Sequence, residues 1–169
     1  MELRKRKRLR LKDYDYASHG AYFVTICTDQ RRPIFWTSSN LHVGADSIRP
    51  QTHLPLSRYG RIVEQAILAI PAHYPAVTVD NYVIMPNHIH VILRITTTDE
   101  GGRLIAAPTL STVVGQMKRW ASKQIGHPIW QKSFYDHVIR NETEYLDTWA
   151  YIDGNPAKWA EDDLFCPAP

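Results

Sequence analysis

Apolar residues recur along the chain in two rhythms, and these rhythms predict its elements. Ala21-Tyr22-Phe23-Val24-Thr25-Ile26-Cys27, opened by Gly20, is a nearly continuous run of β-branched and aromatic positions over residues 21–28. Such a run predicts a central strand buried on both faces. Residues 77–85, rich in Val, Ile and Tyr, predict a second strand. Pro86-Asn87 predicts a tight turn and residues 88–95 a third strand. Residues 134–140 predict a fourth. Between the strands the spacing becomes helical. Ser57 is placed to cap a helix of about 57–70, with Ile62, Val63, Ala66, Ile67 and Ile70 on one face and Pro71 and Pro75 beyond. Thr109 caps a second helix, about 110–125. It buries Leu110, Val113, Val114, Met117 and Ala121, exposes Lys118, Arg119 and Lys123, and stops at Gly126 and Pro128. A third helix opens after Asn141, which with Glu144 resembles a capping box, and runs to about 153. Residues 29–56 carry Pro33, Pro50 and Pro55 and predict a long surface excursion with at most a short edge strand. Residues 96–108, with Gly101-Gly102, predict a loop.

The order β-α-β-β-α-β plus a terminal helix predicts an α+β, ferredoxin-like split βαβ sandwich. Its sheet is antiparallel, with two helices on one face. The additional C-terminal helix must pack near the other face or an edge. At 169 residues, 44% hydrophobic and 22% charged, the chain fits one globular domain. The expected division is a basic arm at 1–12 and a core at 20–156.

No apolar run reaches the roughly 18 residues that would suggest a membrane span, and no apolar segment follows the basic N-terminus as in a signal peptide. A cytoplasmic protein is the expectation. Cys27 and Cys166 are too far apart to suggest a disulfide framework or a zinc signature, and Cys27 reads as a buried small hydrophobe. The net charge of +3 is uneven. Arg4, Lys5, Arg6, Lys7, Arg8 and Arg10 face only Glu2 in the first ten residues, leaving the remaining 14 basic and 16 acidic residues at −2. Such an arm suits either nucleic-acid phosphates or solvent.

On the third strand, alternation puts Ile89, Val91 and Leu93 on one face and His88 and His90 on the other. Two imidazoles on adjacent pleats can converge on one cation. A lone His-x-His also arises by chance on a solvated face. On the last helix, Tyr145, Leu146, Trp149, Ala150 and Ile152 form an apolar stripe, and Tyr151 falls opposite. Tyr145 therefore reads as core, and Tyr151 as surface or functional. Asn155, four residues on, would lie above Tyr151 and offer a third ligand oxygen. Pro156 biases Asn155 away from helical dihedrals.

Several segments carry a family resemblance. Met85-Pro86-Asn87-His88-Ile89-His90 resembles the His-hydrophobic-His motif of the single-tyrosine transposases of insertion sequences, and more closely that of the REP-associated tyrosine transposases. Arg8 to Tyr16 and Gly20 to Thr28 resemble that family's N-terminal signature. Ile129 to Arg140 resembles the region before its catalytic helix, and Tyr151 to Trp159 its tyrosine motif, with Gly154 departing from the usual bulkier polar residue. The resemblance implies a ferredoxin-like core and a Mg²⁺ or Mn²⁺ ion on His88 and His90, with Asn155 as the third, polar ligand. It implies a nicking and strand-transfer enzyme, nucleoid-associated, in which Tyr151 attacks single-stranded DNA at hairpins of the REP type through a 5′-phosphotyrosine. It leaves monomer and homodimer both open. The arm residues Arg4, Lys5, Arg6, Lys7, Arg8 and Arg10, with Lys118, Arg119 and Lys123, are candidate DNA contacts. Trp120 or Trp130 is a candidate base-stacking residue, and His137 a possible neighbour of the site. The alternatives are a non-catalytic domain binding single-stranded nucleic acid and a hydrolase using activated water.

Overall fold

The computed structural model describes residues 19–37, 56–96, 99–100, 103–104 and 108–165. The basic arm, Cys166 and most of the excursion at 29–56 lie outside them. Strand β1 (Gly20–Cys27) is followed by helix α1 (Arg58–Leu68), the short α2 (Ile70–His73), β2 (Val77–Ile84) and β3 (His88–Ile95). A small ladder of β4 (Asp99–Glu100) and β5 (Arg103–Leu104) comes next, where the sequence suggested only a loop. Helix α3 (Leu110–Ile125), β6 (Tyr135–Ile139) and α4 (Glu142–Gly154) complete the order, and a 3-10 segment Pro156–Glu161 follows.

The main sheet runs β2-β3-β1-β6 with antiparallel neighbours, which is the ferredoxin-like arrangement. Register assigns its two faces. Tyr82 lies opposite Val91, and its hydroxyl donates to Glu64 of α1 at 3.2 Å. The Ile89, Val91 and Leu93 face therefore meets α1, which packs in turn on α3. His90 lies opposite Thr25 on β1 and Val83 on β2, and His88 opposite Cys27, all on the other face. Helix α4 crosses that second face, packing on β2 and β3.

The predicted caps form. Ser57 Oγ accepts from Gly60 N, Thr109 Oγ1 from Thr112 N, and Asn141 Oδ1 from Glu144 N. Gly126 ends α3 at φ 95°, a left-handed value that favours glycine. The described ends of the 29–56 excursion are mixed, with Gln30, Arg31, Arg32 and Thr37 exposed as expected and three apolar residues turned into the core. Phe35, Trp36 and Leu56 are buried, and Trp36 Nε1 donates to Ile84 O at 2.7 Å.

Two further expectations need correction. Strand β1 is central, but its Phe23, Thr25 and Cys27 face is only half-buried, because that face opens into a cleft. Cys27 is thus a cleft residue, its thiol pushed up mainly by burial. The stripe on α4 is narrower than expected: Ile152 is buried and Tyr145 and Trp149 pack half-buried against the core, but Leu146 and Ala150 are exposed. Polar bonds also hold the helix. Tyr145 donates to Asp80 Oδ2 at 3.0 Å, Asn81 Nδ2 donates to Asp153 Oδ1 at 2.9 Å, and His137 Nε2 lies 2.5 Å from Glu144 Oε1. A register irregularity in β2 between Val79 and Asn81 sets Asp80 apart from the regular ladder. Its carboxylate also takes Arg94 at 2.7 Å.

Candidate active site

Strand alternation carries His88 and His90 onto the face that α4 covers. Both are almost wholly buried, and their Nε2 atoms stand 3.0 Å apart. Each outer nitrogen has a partner. His88 Nδ1 lies 2.8 Å from Asn87 Oδ1, and His90 Nδ1 lies 2.8 Å from Thr25 Oγ1. The Asn87 orientation follows from its other atom, because Nδ2 donates to Leu164 O at 2.8 Å and to Arg31 O at 3.2 Å. Its Oδ1 must then accept, so His88 carries its proton on Nδ1 and presents a bare Nε2. Burial, with Arg31 nearby, lowers His88 to about 3; burial and then His88 lower His90 to about 3, against the opposing Asp162. Both rings are neutral near pH 7, the form that ligates metals.

Tyr151 comes to the same point from α4. Its hydroxyl lies 3.5 Å from His90 Nε2, and Phe23 stacks on that imidazole and meets the Tyr151 ring edge-on. Burial first, and then Asp162, push its phenol above the ordinary value, while a hydrogen bond from Asn155 pulls it down. Asn155 itself is helical, at φ −62° and ψ −42°. The bias expected from Pro156 is overridden because proline opens the next helical segment, where its fixed φ fits. The alignment of Asn155 above Tyr151 survives, and its Oδ1 is buried without a hydrogen-bond partner among the described residues.

Asp162 was not singled out in the sequence. Its side chain is 6% exposed, and its Oδ2 lies 3.9 Å from His88 Nε2. His88, His90 and Asp162 each place one ligand atom within 4.8 Å of the others.

No family model matches the sequence. An uncharacterized protein of Haemophilus influenzae is 33% identical over 178 residues, spanning 95% of this chain and 93% of its own. A second protein of that organism, provisionally named a REP-associated tyrosine transposase, is 26% identical over 151 residues, or 85% of this chain and 74% of its own. A solved REP-associated tyrosine transposase bound to a REP hairpin shares the fold. Its TM-score is 0.59 at 21% identity, covering 88% of this chain and 73% of that one. The chain resembles the REP-associated tyrosine transposases in sequence and in fold.

The site opens to a cleft of about 400 Å³, lined by Phe23, Cys27, Gln131, Tyr135, Tyr151 and Asp162 among others. Of the basic residues expected to contact DNA, Arg4, Lys5, Arg6, Lys7, Arg8 and Arg10 lie outside the described residues. Arg119 and Lys123 are exposed on α3, which packs on α1 behind the opposite face of the sheet. Lys118 is half-buried rather than exposed. Its ammonium donates to Gln131 O at 2.6 Å, fixing the loop that borders the cleft. Trp120 packs against the core, and Trp130 Nε1 donates to Lys118 O, so both are held structurally. His137 pairs with Glu144 at the start of α4. Among the described residues no helix is long and apolar enough to cross a membrane.

Proposed function

We propose that this chain is a metal-dependent single-stranded DNA endonuclease and strand transferase, acting at hairpin DNA of the REP type through Tyr151. The observation that carries the reading is the approach of the Tyr151 hydroxyl to 3.5 Å from His90 Nε2, where two neutral imidazoles present Nε2 atoms 3.0 Å apart. The donors fit a divalent cation. Lone pairs that close repel one another unless a proton or cation lies between them, and the orphaned Asn155 Oδ1 adds a hard oxygen donor. His88 and His90, with Asn155, would hold Mg²⁺ or Mn²⁺. When bound, the ion supplies positive charge that neutralises a phosphodiester and favours an ionised phenol nearby.

The chain's own groups do the rest. Tyr151 Oη gives up its proton to solvent and attacks phosphorus, the bond to the 3′ oxygen breaks, and that oxygen takes a proton from solvent and leaves as a hydroxyl. The product is a 5′-phosphotyrosine. Attack by another 3′-hydroxyl reverses the exchange and rejoins strands without external energy. Asn155 orients the phenol by its hydrogen bond, and Phe23 backs the His90 ring. The approach of Tyr151 to His90 within the chain supports action with the tyrosine in cis.

A 3′-labelled REP-type hairpin with a single-stranded flank, mixed with the protein and Mn²⁺, tests the reading, because a 5′-phosphotyrosine keeps the 3′ portion of the cut strand on the protein. The expected result is a denaturation-resistant adduct, lost in Tyr151→Phe and in His88→Ala. Cleavage that survives Tyr151→Phe points to a water-using hydrolase. Binding with neither adduct nor cleavage points to a non-catalytic single-strand-binding domain.

A further inference from the structure

The segment beyond α4 is built into the site as firmly as the histidines. Asn87 is fully buried, and its two side-chain atoms serve two purposes at once. Oδ1 holds the outer nitrogen of His88, while Nδ2 holds the Leu164 carbonyl. The turn that precedes the histidine pair is therefore clasped to the chain two residues past Asp162. Asp162 is fixed locally too. Its Oδ1 accepts from Leu164 N at 2.6 Å and its backbone N–H donates to Trp159 O at 3.2 Å. With Oδ1 engaged, the free Oδ2 is the atom near His88 Nε2, at 3.9 Å. No guanidinium or ammonium pairs with this carboxylate among the described residues, and a buried carboxylate without a cationic partner is costly.

We propose that Asp162 is a direct ligand of the divalent cation, an anionic donor supplied from outside the tyrosine helix and aligned with His88 through Asn87. The proposal rests on the reading that His88 and His90 bind a metal. It adds a charge-bearing oxygen to two imidazoles and a neutral amide. That set suits Mn²⁺ and Mg²⁺ better than softer ions. It also makes the clasped segment at 162–165 a condition for metal affinity rather than a bystander.

Isothermal titration of the full-length protein with Mn²⁺, without DNA, provides the test. Asp162→Asn keeps the shape and the acceptor for Leu164 N, and is expected to weaken Mn²⁺ binding by about tenfold or more. Asp163→Asn, an exposed neighbour, should stay within about twofold. A second variant guards against poor folding. Asp162→Cys should raise the ratio of Cd²⁺ to Mn²⁺ affinity by about tenfold or more over the unaltered protein, because a thiolate selects softer metals. This ratio is internal to each sample. Unchanged Mn²⁺ affinity in Asp162→Asn with an unchanged ratio in Asp162→Cys overturns the assignment, and leaves the Tyr151 reading to be judged by adduct formation. Absence of stoichiometric Mn²⁺ binding in the unaltered protein overturns both.

Discussion

Asn87→Ala removes the clasp between the histidine turn and the chain after α4. Three groups lose a partner: the Nδ1–H of His88 and the carbonyls of Leu164 and Arg31, at 2.8, 2.8 and 3.2 Å. Leaving a buried polar group unsatisfied costs about 1–3 kcal/mol. Arg31 is exposed and its carbonyl can turn to water, so the other two dominate. The expected loss is about 3–5 kcal/mol, a large share of the roughly 5–15 kcal/mol by which a domain is stable. Urea unfolding of the metal-free protein, followed by tryptophan fluorescence, measures it. Asn87→Asp keeps an acceptor for His88 Nδ1–H and loses the two donated bonds, so it should fall between the parent and Asn87→Ala. A loss below about 1 kcal/mol in Asn87→Ala refutes the inference that Asn87 joins these elements.

Other predictions follow from neighbouring geometry. Folding depresses His88 and His90 from 6.5 to about 3, so the unfolded chain binds more protons between those values. Stability of the metal-free protein is fully present above pH 6.5. It should fall as pH drops toward 3, by up to about 1.4 kcal/mol per pH unit for each histidine. Urea midpoints that stay flat from pH 7 to 4.5 contradict this. Thr25→Val removes the partner of His90 Nδ1 and should weaken Mn²⁺ binding by about tenfold in a titration, with a loss of stability of about 1–3 kcal/mol, below that of Asn87→Ala. Unchanged affinity shows that Thr25 does not orient the ring. In Gly60→Ala an added Cβ would lie 2.3 Å from Phe35 O, so the thermal midpoint should drop, for a cost of about 1–3 kcal/mol. A midpoint equal to the parent's would place the Phe35 backbone elsewhere.

Much of this architecture is legible in the sequence because burial leaves a periodic trace. The register of β3 reads directly from His88 to Ile95, where Ile89, Val91 and Leu93 alternate with the histidines and separate the helix-covered face from the site face. Caps at Ser57, Thr109 and Asn141 read equally well, since a short polar side chain before an apolar rhythm has few other uses. Helix α4 reads only in part: Tyr145, Trp149 and Ile152 leave a narrow apolar trace, but its ties to Asp80, Asn81 and His137 are polar bonds between distant residues, which leave no periodicity. Asn155 escapes the expected proline effect for a local reason, the helical segment that Pro156 itself begins. Asp162 is invisible in the sequence. It is one of three consecutive acidic residues, and its segment returns to β3 through contacts between distant residues, the Asn87 to Leu164 bond and the Trp159 to His88 ring contact among them. Lys118 misleads in the opposite sense, because a basic residue on a helix looks free until a loop wraps over it.

The central claim concerns which atom meets the phosphorus. A reaction of the full-length protein with hairpin DNA and Mn²⁺, followed by nuclease trimming, proteolysis and tandem mass spectrometry, locates the attached nucleotide. Tyr151 has its hydroxyl beside His90, whereas Tyr145 is committed to Asp80. The expected result is a nucleotide linked through its 5′ phosphate to Tyr151 alone. A modified Tyr145, a 3′ linkage, or cleaved DNA with every tyrosine unmodified would contradict the account.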